Sequence, residues 1–204
     1  MRDATGVQFP LGVPSVSAAL PGSVGGRLRC RTVQRILVAG VTGAGKTTFA
    51  QELAGRLDLP FHEMDGLFHG PDWEPIPTFV AHVEAIAAED SWVFDSYGYT
   101  AVRDLVWSLA DTVIWLDYSR PVVLGRVLRR SVTRTLTHEP IFNDNVERVA
   151  DWRRPDHPVQ WSMRRFGPLR AEMERRFADP TYAEVHKVRL RRPAAARWWL
   201  DRVE

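Results

Sequence analysis

Ile36-Leu-Val-Ala-Gly40-Val-Thr-Gly-Ala-Gly45-Lys46-Thr47 is the stretch that decides how this chain reads. Ile36 to Gly40 is a short apolar run ending in glycine, the pattern of a buried parallel strand. Gly40 to Thr47 fits G-x-x-x-x-G-K-[ST] at every fixed position. Beyond it Phe49, Leu53 and Leu57 recur at spacing four, which makes Lys46 to Leu57 an amphipathic helix. Strand, glycine-rich loop and helix in that order make a phosphate-binding loop. Glycines let the backbone curl so that successive N–H groups aim at phosphate oxygens, and the helix N-terminus adds its positive end. Gly40, Thr42, Gly43, Ala44, Gly45, Lys46, Thr47 and Thr48 are therefore expected to bind a nucleoside triphosphate such as ATP. Lys46 is expected to reach the β- and γ-phosphates, and Thr47 to ligate Mg²⁺.

Working outward, strands and helices alternate. Pro60 to Met64, Ser91 to Asp95, Thr112 to Asp117 and Glu184 to Leu190 read as further strands. Helices are expected over 78–89, 100–109, 121–136, 159–177 and 193–203. Val123, Leu124, Val127 and Leu128 should face inward on the third of these, and Val159, Met163, Phe166, Met173 and Phe177 on the fourth. The stretches 65–77 and 137–158 read as irregular. This alternation implies an α/β fold with a parallel sheet covered on both faces. Residues 1–33 are rich in Pro, Gly and Ser without a sustained period. They read as a disordered tail, or equally as sequence ahead of the true start, with residues 34–204 as one domain.

The single cysteine, Cys30, excludes an internal disulfide framework and a cysteine-based zinc site. No apolar run is long enough for a transmembrane helix, and no targeting signal is evident, so a cytoplasmic protein without a membrane partner is expected. Charge is polarised rather than uniform. Residues 34–119 carry 4 basic and 13 acidic residues, whereas 120–176 carry 13 basic and 7 acidic. That pattern points to a local anion site more than to a general nucleic-acid surface.

A phosphate loop needs an acid at the end of a neighbouring strand to hold Mg²⁺. Asp95 and Asp117 both end strands. Asp95 is favoured because a turn follows it, while Asp117 precedes Ser119-Arg-Pro121 and reads as a helix cap. Asp65 reads two ways: a carboxylate that orients or deprotonates an acceptor hydroxyl, or an Asp-Gly turn. Arg126, Arg130 and Arg134 are spaced by four and share one helix face. Arg148, Arg153 and Arg154 could close from the other side. His157 reads as structural. Trp73 and Tyr97 lie near the acceptor region, where packing is the simpler role.

Residues 35–204 resemble the small adenylate-kinase-like P-loop kinases. The resemblance rests on Gly40 to Thr47, Phe61-His-Glu-Met-Asp65, Trp92-Val-Phe-Asp95, Trp115-Leu-Asp117 with Arg120-Pro121, and Asp156-His-Pro-Val-Gln-Trp161. It looks nearest to the bacterial topology modulation proteins, or FlaR-like adenylate kinase homologues. The resemblance implies a P-loop NTPase fold: three αβα layers, a five-stranded parallel sheet in order 2-3-1-4-5, and a lid around 130–157. It implies Arg126 and Arg130 as the residues that stabilise charge on the transferring group. The chain departs from the pattern after the third strand, where Asp95-Ser-Tyr-Gly98-Tyr stands in place of Asp-Gly-x-Pro-Arg. The acceptor-gripping arginine is missing there, with Arg103 nearby, which argues against AMP as acceptor.

The resulting expectation is an ATP/Mg²⁺-dependent phosphotransferase, monomeric, acting on a small acceptor that the sequence does not name. Lys46, Asp65, Arg126 and Arg130 would act in catalysis, and Thr47 and Asp95 at the metal. The rival is an ATP-binding regulator whose arginines contact nucleic acid; a weak ATPase is a third reading.

Overall fold

The apolar run ahead of the phosphate loop becomes β1 (Arg35–Gly40), the central strand of the sheet. In this computed structural model residues 34–95, 99–138, 149–154 and 157–203 are described. The expected tail, Tyr97, Arg148 and much of the expected lid lie outside them. The chain continues through α1 (Lys46–Leu57), β2 (Phe61–His62), α2 (Met64–Phe68), α3 (Phe79–Ala87) and β3 (Trp92–Phe94). It then runs through α4 (Thr100–Leu109), β4 (Thr112–Leu116), α5 (Arg120–Thr137), α6 (Pro158–Ala178), β5 (His186–Leu190) and α7 (Pro193–Leu200). Short 3₁₀ segments lie at Pro71–Trp73, Val149–Arg153 and Pro180–Tyr182.

The five strands are all parallel, in the order β2-β3-β1-β4-β5. Helices α1 and α7 share one face, where Phe49 stacks on Trp199 at 5.9 Å. On the other, α3 packs on α4, and Trp107 of α4 meets Phe177 of α6 at 6.1 Å. This is the three-layer αβα arrangement. Because helices cover both faces, inner strands must be apolar throughout, and β3 and β4 are buried along their whole length. Trp92, Phe94, Ile114 and Leu116 fill the centre. Each such side chain removed from water contributes about 1.5–3 kcal/mol. Among the described residues no helix is long and apolar enough to cross a membrane.

Several expected details change. Residues 65–77 are not wholly irregular, since α2 and the Pro71–Trp73 turn lie within them. On α5 the buried apolar residues are Val123 and Val127, while Leu128 is 43% exposed. On α6, Met163 is likewise exposed, and Leu169 and Met173 carry the buried face. Helix α5 and the N-terminal half of α6 sit over the phosphate loop, so their apolar stripes are covered less there than on a sheet-packed helix.

Candidate active site

The loop between β1 and α1 is held in shape from three directions. Gly43 and Gly45 have φ of 88° and 86°, left-handed values that glycine adopts without strain. A Cβ on Gly43 would lie 2.2 Å from Val127 Cγ2 and 2.9 Å from the Val123 carbonyl oxygen, so α5 packs directly on the loop. Arg126 Nη1 donates to the Ala44 carbonyl at 2.9 Å, and Ser162 Oγ on α6 donates to the Thr42 carbonyl at 3.3 Å. Gly45 is the N-cap of α1 and carries no side-chain cap, which leaves the first-turn N–H groups for an anion.

Asp95 follows β3 and is 3% exposed. Its Oδ2 accepts from Thr47 Oγ1 at 2.5 Å, and its Oδ1 accepts from the Met64 N–H at 3.0 Å. Burial pushes this carboxyl above the usual carboxylate range; the Thr47 hydroxyl, the Lys46 charge and the Met64 N–H pull it back in part. Asp117, the other strand-ending acid, is differently engaged. Its Oδ2 accepts from Arg189 Nε at 2.9 Å and Nη2 at 2.7 Å, and Arg170 Nε lies 3.2 Å from its Oδ1. Arg189 also lies over the Trp115 ring at 4.1 Å. The expected capping role is corrected: Ser119 is the N-cap of α5, and Asp117 instead neutralises two arginines.

Asp65 sits on α2, with Gly66 inside that helix, so the Asp-Gly turn is not what forms. Its Oδ1 accepts from the Tyr99 hydroxyl at 2.8 Å. Burial, and then the Asp65 charge, push the Tyr99 phenol far above its ordinary value, so it donates and does not ionise. Burial lowers the Lys46 ammonium and the Arg130 charge lowers it further, while Asp65 and Asp95 hold it up. Glu63, just before α2, is raised by burial and by Asp95 and Asp65, against a lowering by Arg134. Lys46 thus stands against Asp65 and Asp95, and Arg134 against Glu63.

These groups line one cleft of about 1230 Å³. Every residue expected to touch the nucleotide borders it, and so do Asp65, Arg126, Arg130 and Arg134. Asp95 lies just beneath, behind Thr47. Arg154 lines the same cleft from the Val149–Arg153 side, which Trp152 ties to α5 by donating Nε1 to Thr135 Oγ1 at 3.1 Å. His157 is buried, accepts from the Val159 N–H at 3.3 Å and stacks on Trp152 at 5.4 Å, so it caps α6. Arg103 is turned away from the cleft and donates Nη1 to Glu172 at 2.9 Å. Trp73 borders the cleft and meets His69 edge-on at 5.4 Å.

Sequence reasoning missed Glu63, Tyr99 and Ser162. Glu63 stands two residues before Asp65 in an acidic string and was within reach. Tyr99 and Asp65 are 34 residues apart, and only the pairing of β2 with β3 brings their ends together.

No protein-family model matches this chain, and no curated protein matches it. Solved structures do. A shikimate kinase from Acinetobacter baumannii, in complex with shikimate, is 18% identical over 83% of this chain and 90% of that one, with a TM-score of 0.50. A gluconokinase from Sinorhizobium meliloti 1021 is 18% identical over 83% of this chain and 93% of its own, with a TM-score of 0.47. A sugar kinase from Janibacter sp. HTCC2649 is 20% identical over 83% and 91%, also at 0.47. At these identities the first likeness is one of fold.

Proposed function

We propose that this chain is a phosphotransferase that moves the γ-phosphoryl group of ATP to a hydroxyl of a small acceptor. The observation that carries the reading is convergence. Lys46, the Thr47–Asp95 pair and Asp65 meet in one cleft large enough for two substrates side by side. The protein that shares the fold is a shikimate kinase in complex with shikimate, which fits a kinase with a small-molecule acceptor. The Trp115-Leu-Asp117 and Asp156-His-Pro-Val-Gln-Trp161 stretches support placing the chain nearest the topology modulation group within that fold.

Thr47 Oγ1 and the Asp95 carboxylate are hard oxygen donors side by side, the set that Mg²⁺ takes, and these two residues would hold it. When bound, Mg²⁺ supplies positive charge to the β- and γ-phosphate oxygens. The loop N–H groups bind the phosphates, and Lys46 bridges the β- and γ-groups. Asp65, held by Tyr99, orients the acceptor hydroxyl and takes its proton. The acceptor oxygen bonds to the γ-phosphorus, the bond from that phosphorus to the β–γ bridging oxygen breaks, and ADP leaves. Arg130 and Arg126 face the charge that spreads over the γ-oxygens. Arg126 also clamps the loop through the Ala44 carbonyl.

The arginines that could have met nucleic acid, Arg126, Arg130 and Arg134, border the cleft, which supports the small-molecule reading. The test is transfer from γ-labelled ATP with Mg²⁺ to a panel of alcohols, beside Lys46→Ala and Asp65→Asn. A labelled product that needs both residues supports the kinase. Undiminished transfer by Asp65→Asn would remove Asp65 from the mechanism.

A further inference from the structure

The part of the cleft beyond Asp65, away from the phosphate loop, has an unusual lining. Its walls are Phe68, Trp73, Ile76, Phe79, Val80 and Tyr99. The rings brace one another: Phe68 lies 4.4 Å from Tyr99 and 5.1 Å from Phe79, and Phe79 lies 5.1 Å from Tyr99. Val80 is 38% exposed, while Phe79 is 4% exposed and ties the wall to the core behind it. The floor holds Glu63 and Asp65, both acidic. No lysine or arginine between 60 and 105 borders the cleft among the described residues. Arg103, the one arginine or lysine of that stretch, is buried against Glu172, and His69 is its one histidine at the cleft among the described residues. The cleft's arginines all stand on the other elements: Arg126 and Arg130 at the phosphate end, Arg165 and Arg197 on α6 and α7, Arg134 balancing Glu63, and Arg154 at 3.8 Å from Asp151.

A carboxylate or phosphate on the acceptor would therefore stand over two carboxylates with no guanidinium on its own side to offset them. Like charges at such separations repel strongly where water is scarce. An apolar ring, by contrast, finds four aromatic neighbours, and an ammonium would find both a carboxylate floor and ring faces. We infer that the acceptor is a ring-bearing alcohol with no negative charge, neutral or cationic, seated on the Phe68–Trp73–Tyr99 wall with its hydroxyl at Asp65. The inference rests on the phosphotransferase reading for its hydroxyl, and on the wall and floor for its charge and ring.

Four probes separate charge from ring: 3-phenyl-1,2-propanediol, phenylalaninol, 3-phenyllactate and glycerol. With the full chain, Mg²⁺ and γ-labelled ATP, the diol and phenylalaninol should be phosphorylated with kcat/KM about tenfold or more above phenyllactate and glycerol. Binding is measured separately by tryptophan fluorescence with a non-hydrolysable ATP analogue in place. Diol binding without any transfer would sink the kinase reading and keep the ligand class. Phenyllactate or glycerol binding as tightly as the diol, or no probe binding at all, would overturn the inference. Glu63→Gln should narrow the preference for the diol over phenyllactate, and Trp73→Ala should weaken all three ring probes but not glycerol. An unchanged diol-to-phenyllactate ratio in Glu63→Gln, with the fold intact by circular dichroism, would also overturn it.

Discussion

Replacing Gly43 by alanine tests how tightly the phosphate loop is wedged under α5. The backbone there has φ of 88°, where a side chain costs about 1–2 kcal/mol. The new methyl would lie 2.2 Å from Val127 Cγ2 and 2.9 Å from the Val123 carbonyl oxygen. Valine on a helix is nearly confined to one χ1 rotamer, so it cannot swing aside, and the carbonyl moves only with α5. Overpacking of this kind costs about 1–3 kcal/mol. Together these place Gly43→Ala about 2–5 kcal/mol below wild type, a large share of the roughly 5–15 kcal/mol of a typical domain. Urea unfolding followed by circular dichroism reads the loss, and ATP titration reads the loop. Val127→Ala removes the 2.2 Å contact but neither the carbonyl nor the φ. The double variant should therefore be more stable than the two single losses summed, by about 1 kcal/mol. A Gly43→Ala protein within about 0.5 kcal/mol of wild type would refute the wedge. So would strict additivity with Val127→Ala.

Asp95→Asn should abolish transfer yet stabilise the ligand-free protein at neutral pH. The sign follows from linkage: the folded carboxyl lies above its unfolded value, so ionisation costs the fold as pH rises from that value through the raised one. The gain should vanish below about pH 3.9, and denaturant melts at two pH values check it; a less stable variant at neutral pH refutes it. Asp117→Ala should cost about 2–3 kcal/mol, less than the roughly 3–5 of a fully buried pair because Arg189 and Arg170 are part-exposed and can rehydrate, and leave ATP affinity unchanged by calorimetry. Tyr99→Phe removes a hydrogen bond to a charged group, about 1.5–3 kcal/mol, and should lower kcat/KM about tenfold or more together with a measurable fall in Tm. ATP affinity should start to fall with rising pH well before about 10.4, because the Lys46 ammonium is lowered by its surroundings, and Lys46→Arg should remove that limb.

The local chemistry was legible in the residues themselves. A strand of apolar residues, glycines at fixed intervals and Lys46-Thr47 at a helix start specify a phosphate loop wherever the chain goes next. Short apolar runs, the alternation of 184–190 and the 3.6-residue period likewise marked out the strands and the longer helices. The short helix α2 escaped because its five residues, with Gly66 among them, are too few to show a period. Leu128 and Met163 misled because a period shows which face is apolar, not how much of it another element covers.

Which aspartate serves the loop is a tertiary matter. Both β3 and β4 flank β1, and the registers Leu37 to Phe94 and Gly40 to Leu116 bring both following aspartates near the loop. Sequence position alone cannot separate them. Strand β5 does: its register sets Arg189 opposite Trp115, where its guanidinium reaches Asp117 and consumes that charge. On the other side the nearby charge is Lys46 of the loop itself, and Asp95 hydrogen-bonds with Thr47 and Met64. The same sheet order carries the end of β2 to the start of α4, so Asp65 meets Tyr99. Spacing along a chain determines what one turn or one strand can do, whereas charge pairing across strands depends on which strands are neighbours, and that only the packed sheet decides.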